Sequence, residues 1–268
     1  MTPPLTPHVP DANEQAFIMT LQKALGKPVE PALTEPPGLF DTRPLDIEKR
    51  LAAYLDKNQA EKNRLLELFI AQAKLVNMAV IPVKNTAQAG LGIQELIART
   101  KPEWGTQKSV TAWHHPLIDQ LNLGERLAAD DVTLYTTDSS APPDAVLRQE
   151  LRAHLIQSYM GITSSDFCVA GSATLVMRTR PNQPRAVSLV PSIHVAVITL
   201  DQIIESLEEL YFLLNWDPKE QAEGLTNCMT FISGPSKTGD IELVMVHGAH
   251  GPRQLITYVI TDQASTPV

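Results

Sequence analysis

Cysteine is scarce: the 268 residues hold two, Cys168 and Cys228. Each lies within an apolar run, so both read as buried, reduced thiols of a cytoplasmic protein. Two thiolates cannot supply the four that hold an ordinary iron–sulfur cluster. If this chain serves redox chemistry, the electrons must travel through something else. Long apolar runs are missing as well. No stretch of eighteen apolar residues exists, and no membrane-spanning helix is expected. The opening stretch MTPPLTPHVPDANEQ lacks the basic and then apolar order of a signal peptide, which also points to the cytoplasm. Positive charge is in deficit, with 22 Lys and Arg against 30 Asp and Glu and a net charge of −8. Nucleic-acid binding as the main task is excluded on that ground, because neutralising phosphates needs a basic face. The catalytic signatures G-x-S-x-G, H-E-x-x-H and C-x-x-C do not occur, and there is no internal repeat.

What is present suits a globular α/β protein. Hydrophobic residues make up 43% of the chain, enough for a sizeable core. The first 45 residues carry prolines at 3, 4, 7, 10, 28, 31, 36, 37 and 44, a density that forbids a packed element over most of that span. Within it, Phe17, Leu21 and Leu25 recur at helical spacing between a capping Asn13 and a terminating Gly26. This predicts a Pro-rich arm (1–45) with one short helix, a main domain (46–262) and a flexible tail (263–268).

Within the main domain, residues 46–76 are free of Gly and Pro and predict one long helix or two abutting ones. Strands at 77–83, 108–113 and 131–136 alternate with a helix capped by Asn85 or Thr86 and a short one opened by Pro116. That alternation predicts a parallel sheet covered on both faces. After a helix over 143–161 the apolar runs shorten and crowd around Gly171, the turn RPNQP and Pro191. This reads as antiparallel hairpins attached to the parallel sheet. A helix capped by Asp201 is expected to bury Ile203, Leu207, Leu210 and Leu214. A polar loop with Pro218, a strand NCMTFIS, a short helix from about Thr238 and a strand QLITYVI complete the chain.

The stretch TFISGPSKTGDIELVMVHGAHGP carries the most chemistry. Its Ser-Gly-Pro-Ser-Lys-Thr run is not a Walker A loop, because only two residues separate Gly234 from Lys237 and Pro235 lacks an N–H. It does place Ser233, Gly234, Ser236, Lys237 and Thr238 between a strand and an expected helix start, where backbone amides favour anions. An anion-binding loop and an ordinary N-capped turn both remain open. Asp240 and Glu242 fall in that helix's first turn, where the dipole favours acids. His247 and His250 have no third ligand nearby, so no metal site is expected. Arg178, Arg180 and Arg185 flank RPNQP, as solvated hairpin ends or as an anion clamp. His194, in the run PSIHVAVI, is a core histidine or a pocket acid/base. Candidate acid/base residues are therefore His194, Asp240, Glu242 and His250.

The stretch GITSSDFCVAGSATLVMRTRPNQPRAVSLVPSIHVAVI and the Ser-Gly-Pro-Ser-Lys-Thr-Gly-Asp-Ile-Glu run with its His-Gly-Pro turn closely resemble the LUD-domain family of lactate-utilisation proteins. The resemblance is strong over 161–253 and looser over 46–262. It implies a three-layer α/β sandwich similar to ribose-phosphate isomerases and CoA-transferases. It also implies work beside iron–sulfur proteins that support oxidation of lactate, with this chain bearing no cofactor. Many relatives read Ala-Glu-Thr-Gly-Thr where residues 170–174 read Ala-Gly-Ser-Ala-Thr. Gly171 takes the glutamate's place, while Ser172 and Thr174 keep hydroxyls available to a ligand. The leading expectation is an accessory component of lactate (2-hydroxy acid) utilisation. The alternatives are an enzyme acting on a phosphorylated, nucleotide or acyl-CoA ligand, and a binding or sensing module that docks a partner through the arm.

Overall fold

The computed structural model describes residues 12–24, 26, 44–103, 105–138, 145–224, 226, 228–239, 245–248 and 250–262. Its contacts divide the chain into two units, Met1–Ile47 and Glu48–Val268. The first carries helix α1 (Ala12–Ala24). It ends at Gly26, whose φ of 65° suits a residue without Cβ and whose amide bonds the Lys23 carbonyl. Asn13 lies inside this helix rather than capping it, and Leu25 is outside the described residues.

The expected helical stretch after residue 46 is two helices, α2 (Ile47–Leu55) and α3 (Gln59–Leu75). They are split where the Asn58 side chain accepts the Glu61 amide as an N-cap. Next come β1 (Met78–Val83), α4 (Thr86–Arg99), β2 (Lys108–Ala112), α5 (Pro116–Asp119), α6 (Leu123–Leu127), β3 (Val132–Thr136) and α7 (Ala145–Gln157). They are followed by β4 (Met160–Thr163), β5 (Phe167–Val169), β6 (Thr174–Arg178), α8 (Ala186–Leu189), β7 (Ile193–Thr199) and β8 (Ile203–Ile204). The remainder is α9 (Leu207–Trp216), α10 (Pro218–Glu223), β9 (Met229–Ile232), β10 (Lys237–Gly239), β11 (Met245–His247) and β12 (Gln254–Ile260).

Six strands form one wholly parallel sheet in the order β1-β12-β7-β4-β2-β3. Pro82 sits in β1 at the edge, where a missing N–H breaks no ladder on the open side. One face packs α4, α5 and α6 against Val110, Ile162, Val195, Val197 and Tyr258. On the other, α3 and a second sheet close over Ala196, Ile198, Leu255 and Val259. The second sheet runs β8-β5-β6-β9, and α9 covers its far side through Leu210 and Leu213.

Three expectations are corrected here. The antiparallel strands form a separate sheet stacked on the parallel one, and β7 is not among them. It lies between β12 and β4 in the parallel sheet. Buried on both faces, it carries no alternation of polar and apolar residues to betray its partners. The helix expected to start at Asp201 begins at Leu207 with Ser206 as its cap, because Ile203 and Ile204 pair with Cys168 and Val169 as β8. The helix expected from Thr238 is the hairpin of β10 and β11.

Gly161 shows how tightly the second face is closed. A Cβ built there would lie 1.9 Å from the Val187 carbonyl oxygen of α8. Gly161→Ala is therefore expected to cost about 1–3 kcal/mol as the backbone shifts to relieve overpacking. Urea unfolding of the variant reads this directly.

Candidate functional site

The residues singled out in the sequence do not gather in one place. Ser172, Thr174 and Ser233 do meet: Thr174 Oγ1 lies 2.7 Å from Ser172 Oγ and 2.6 Å from Ser233 Oγ. This hydroxyl chain joins the two motif stretches, but its members serve one another. Gly234 has a φ of 83°, and a Cβ there would lie 2.4 Å from the Val76 carbonyl oxygen. The glycine is required by close approach to the chain itself. The Ser236 amide donates to the Pro252 carbonyl at 2.8 Å, and its own carbonyl receives the Gly248 amide. Lys237 is exposed. The helix N-terminus on which an anion grip would depend is replaced by strand β10, which also holds Thr238.

His250 is exposed and touches Ser236 only through its backbone amide, 3.4 Å from Oγ. Arg185 is exposed and donates to Cys228 Sγ at 3.3 Å. Cys228 is consequently half-buried rather than enclosed, and its thiol is shifted down by the Thr230 hydroxyl with help from Arg185. Cys168 is buried, as expected, and burial pushes its thiol up. Asp240 and Glu242 lie outside the described residues. His194 is a core residue, 1% exposed, with Nε2 2.8 Å from the Thr163 hydroxyl.

A different site forms at the opposite end of the parallel sheet. The chain leaves β2 for β3 on one side, whereas β4 leads on to β7 and β12 on the other. That reversal opens a crevice beyond the carboxyl ends of β2 and β4, the place where open α/β sheets hold ligands. A cavity of about 310 Å³ occupies it. Trp113 and His115 arrive from the end of β2, Ser164, Ser165 and Asp166 from the end of β4, and Gln202 from beyond β7. Arg178, Arg180 and Gln183 come from the end of β6, and Lys219, Glu220 and Glu223 from α10.

Arg178 is the hub. Read in the sequence as a solvated hairpin end or an anion clamp, it is 4% exposed and its guanidinium meets the protein's own carboxylates. Asp166 Oδ2 accepts its backbone amide at 2.6 Å, and Oδ1 accepts its Nε at 3.1 Å. Its Nη2 lies 3.1 Å from Glu223, and Nη1 lies 2.7 Å from Glu220 Oε2 without reaching hydrogen-bond alignment. Arg180 bridges Asp166 and Glu223. Burying charge is expensive, so two guanidiniums with three carboxylates mark an arrangement that is strongly cross-committed. Burial pushes the Glu220 carboxyl up against the opposing pull of Arg178. Burial also pushes His115 down, so its ring is neutral at pH 7.

Sequence reasoning missed Asp166, His115, Glu220, Glu223 and Lys219. A signal for α10 was present. Asp217 followed by Pro218 is an N-cap before proline at the first helical position, and the Asp217 side chain accepts the Lys219 amide at 2.9 Å. Reading that stretch as a loop hid its carboxylates. Among the described residues no group of three or more His, Cys, Asp or Glu is placed to hold a metal ion, and no helix is long and apolar enough to cross a membrane.

The family model of the LUD domain matches residues 66–260. The chain belongs to the LUD-domain family. The match spans β1 through β12, so both ends of the parallel sheet, the crevice and the hydroxyl chain are parts of the LUD domain. Lactate utilization protein C of Exiguobacterium is 28% identical over 252 residues, covering 92% of this chain and 95% of that protein. The protein of the same name from Halalkalibacterium halodurans is 28% identical over 171 residues, or 64% and 70% of the two chains. A crystal structure of a DUF162 family protein from Deinococcus radiodurans covers 76% of this chain and 99% of its own, at 22% identity and a TM-score of 0.47.

Proposed function

We propose that this LUD-domain protein is an accessory component of lactate (2-hydroxy acid) utilisation and works beside iron–sulfur partner proteins. The observation that carries the reading is the family match over residues 66–260, joined to relatives that bear the name Lactate utilization protein C. The thiols support the second half of it. Cys168 is enclosed in the core and Cys228 stands apart beside Arg185. This chain has no set of four thiolates to hold a cluster, so electrons taken from a hydroxy acid would pass through a partner.

Deleting the gene is expected to abolish growth on L-lactate as sole carbon source and to leave growth on glucose unchanged. Tagged protein from lactate-grown cells is expected to retain proteins that contain iron and acid-labile sulfide. Normal growth on lactate together with iron-free eluates would remove the proposal.

A further inference from the structure

We infer that the crevice beyond β2 and β4 binds a small carboxylate with an oxygen on the adjacent carbon, a 2-hydroxy or 2-oxo acid. The choice of the 2-oxygenated acid rests on the lactate-utilisation reading above, whereas the preference for a carboxylate comes from hydrogen-bonding capacity left over in the cavity. The carboxylates there are ion-paired: Asp166 and Glu223 each face Arg178 and Arg180, and Glu220 faces Arg178. Among the described residues three donors are not. Lys219 is exposed at the cavity and enters no ion pair among the described residues. His115 uses Nδ1 to accept the Leu117 amide at 3.1 Å, which puts the proton of the neutral ring on Nε2. Among the described residues the Ser164 hydroxyl, 1% exposed, receives only a 3.4 Å contact from Gln202.

A wall with surplus donors and committed acceptors selects an occupant rich in acceptors. Among the described residues each lining carboxylate already faces a guanidinium, so an ammonium ligand gains little. A carboxylate finds Lys219, which enters no ion pair among the described residues, and a neighbouring hydroxyl or carbonyl oxygen finds neutral donors. Among the described lining residues only Trp113 and Pro116 are apolar, so a long acyl chain has little to rest on.

Calorimetric titration of the full chain at pH 7 with L-lactate and with pyruvate tests this, with propionate and inorganic phosphate as comparison ligands. Millimolar or tighter binding of lactate or pyruvate is expected, with propionate and phosphate clearly weaker. Lys219→Ala is expected to weaken binding at least tenfold, and His115→Ala to weaken it as well. Lys237→Ala, at the other end of the sheet, should leave it unchanged. Among the described residues Lys219 makes no hydrogen bond or ion pair through its side chain, so its variant is expected to keep the fold, which circular dichroism verifies. Absence of binding to the folded wild type, equal binding of propionate or phosphate, or an unchanged Lys219→Ala affinity would overturn the inference. A growth defect on lactate without lactate binding would spare the proposed function and remove only this site. Lactate binding without a growth defect would do the reverse.

Discussion

Acidification is expected to destabilise this protein through one buried ring. His194 is wholly enclosed between the parallel sheet and the layer above it, and Nδ1 has no hydrogen-bond partner among the described residues. Burial pushes its pKa down from 6.5 to about 3. Above pH 6.5 the ring is neutral in both folded and unfolded chains and has no effect on pH dependence. Below that the unfolded chain takes up a proton that the folded chain refuses, so stability is lost as pH falls from 6.5 towards 3. The slope approaches about 1.4 kcal/mol per pH unit, and the whole window amounts to roughly 5 kcal/mol, from this group alone. Urea unfolding from pH 7 down to pH 4 measures it. His194→Gln, which cannot titrate, is expected to show a shallower dependence. An equal slope in both proteins would mean that the ring accepts its proton while folded. This arrangement also disposes of His194 as a general acid or base, since a ring closed off from any substrate and held neutral has no proton to exchange with it.

Removing Arg178 is expected to be as damaging. Arg178→Met leaves the nearly enclosed Glu220 without its cation, while Asp166 and Glu223 keep only Arg180. Breaking a buried pair from one side costs about 3–5 kcal/mol, because the orphaned charges remain in a poor dielectric. The loss should grow as pH rises. Burial already pushes the Glu220 carboxyl up, and without the opposing guanidinium the folded chain holds its proton more tightly than the unfolded chain does, so deprotonation favours unfolding. Arg178→Lys keeps one charge but loses the planar fork, and a smaller loss is expected. Denaturant midpoints of the three proteins at pH 5 and pH 8 check both statements. Equal midpoints for Arg178→Met and wild type at pH 8 would show that the cluster contributes nothing net to stability.

Legibility in the sequence followed the range of the forces involved. The helix α4 with its Asn85 cap, the short helix α5 opened by Pro116, and the strands β1, β2, β3 and β12 were all visible, because caps, prolines and apolar runs act within a few residues. The run around His194 was visible as a strand but not as a member of the parallel sheet. The segment after Ser236 failed for a related reason. Ile241, Val244 and Met245 matched helical spacing, yet the backbone at Lys237 and His247 is paired across a hairpin. Pairing between segments outweighed local periodicity. Arg178 and Glu220 were hidden for a third reason. A charged residue next to a turn has the same signature whether it meets water or three carboxylates.

By itself the sequence determined the family, the α/β class, the order of most elements and the shortage of thiols, since each follows from residue identity or from neighbours close along the chain. Tertiary structure alone decided that the Ser-Gly-Pro-Ser-Lys-Thr loop turns on its own backbone at one end of the parallel sheet. It alone assembled the charged crevice at the other end. The crevice gathers Asp166, Arg178 and Glu220 from three separate elements, and only the stacking of the second sheet and α10 over the carboxyl ends of the strands brings their charges within reach of one another.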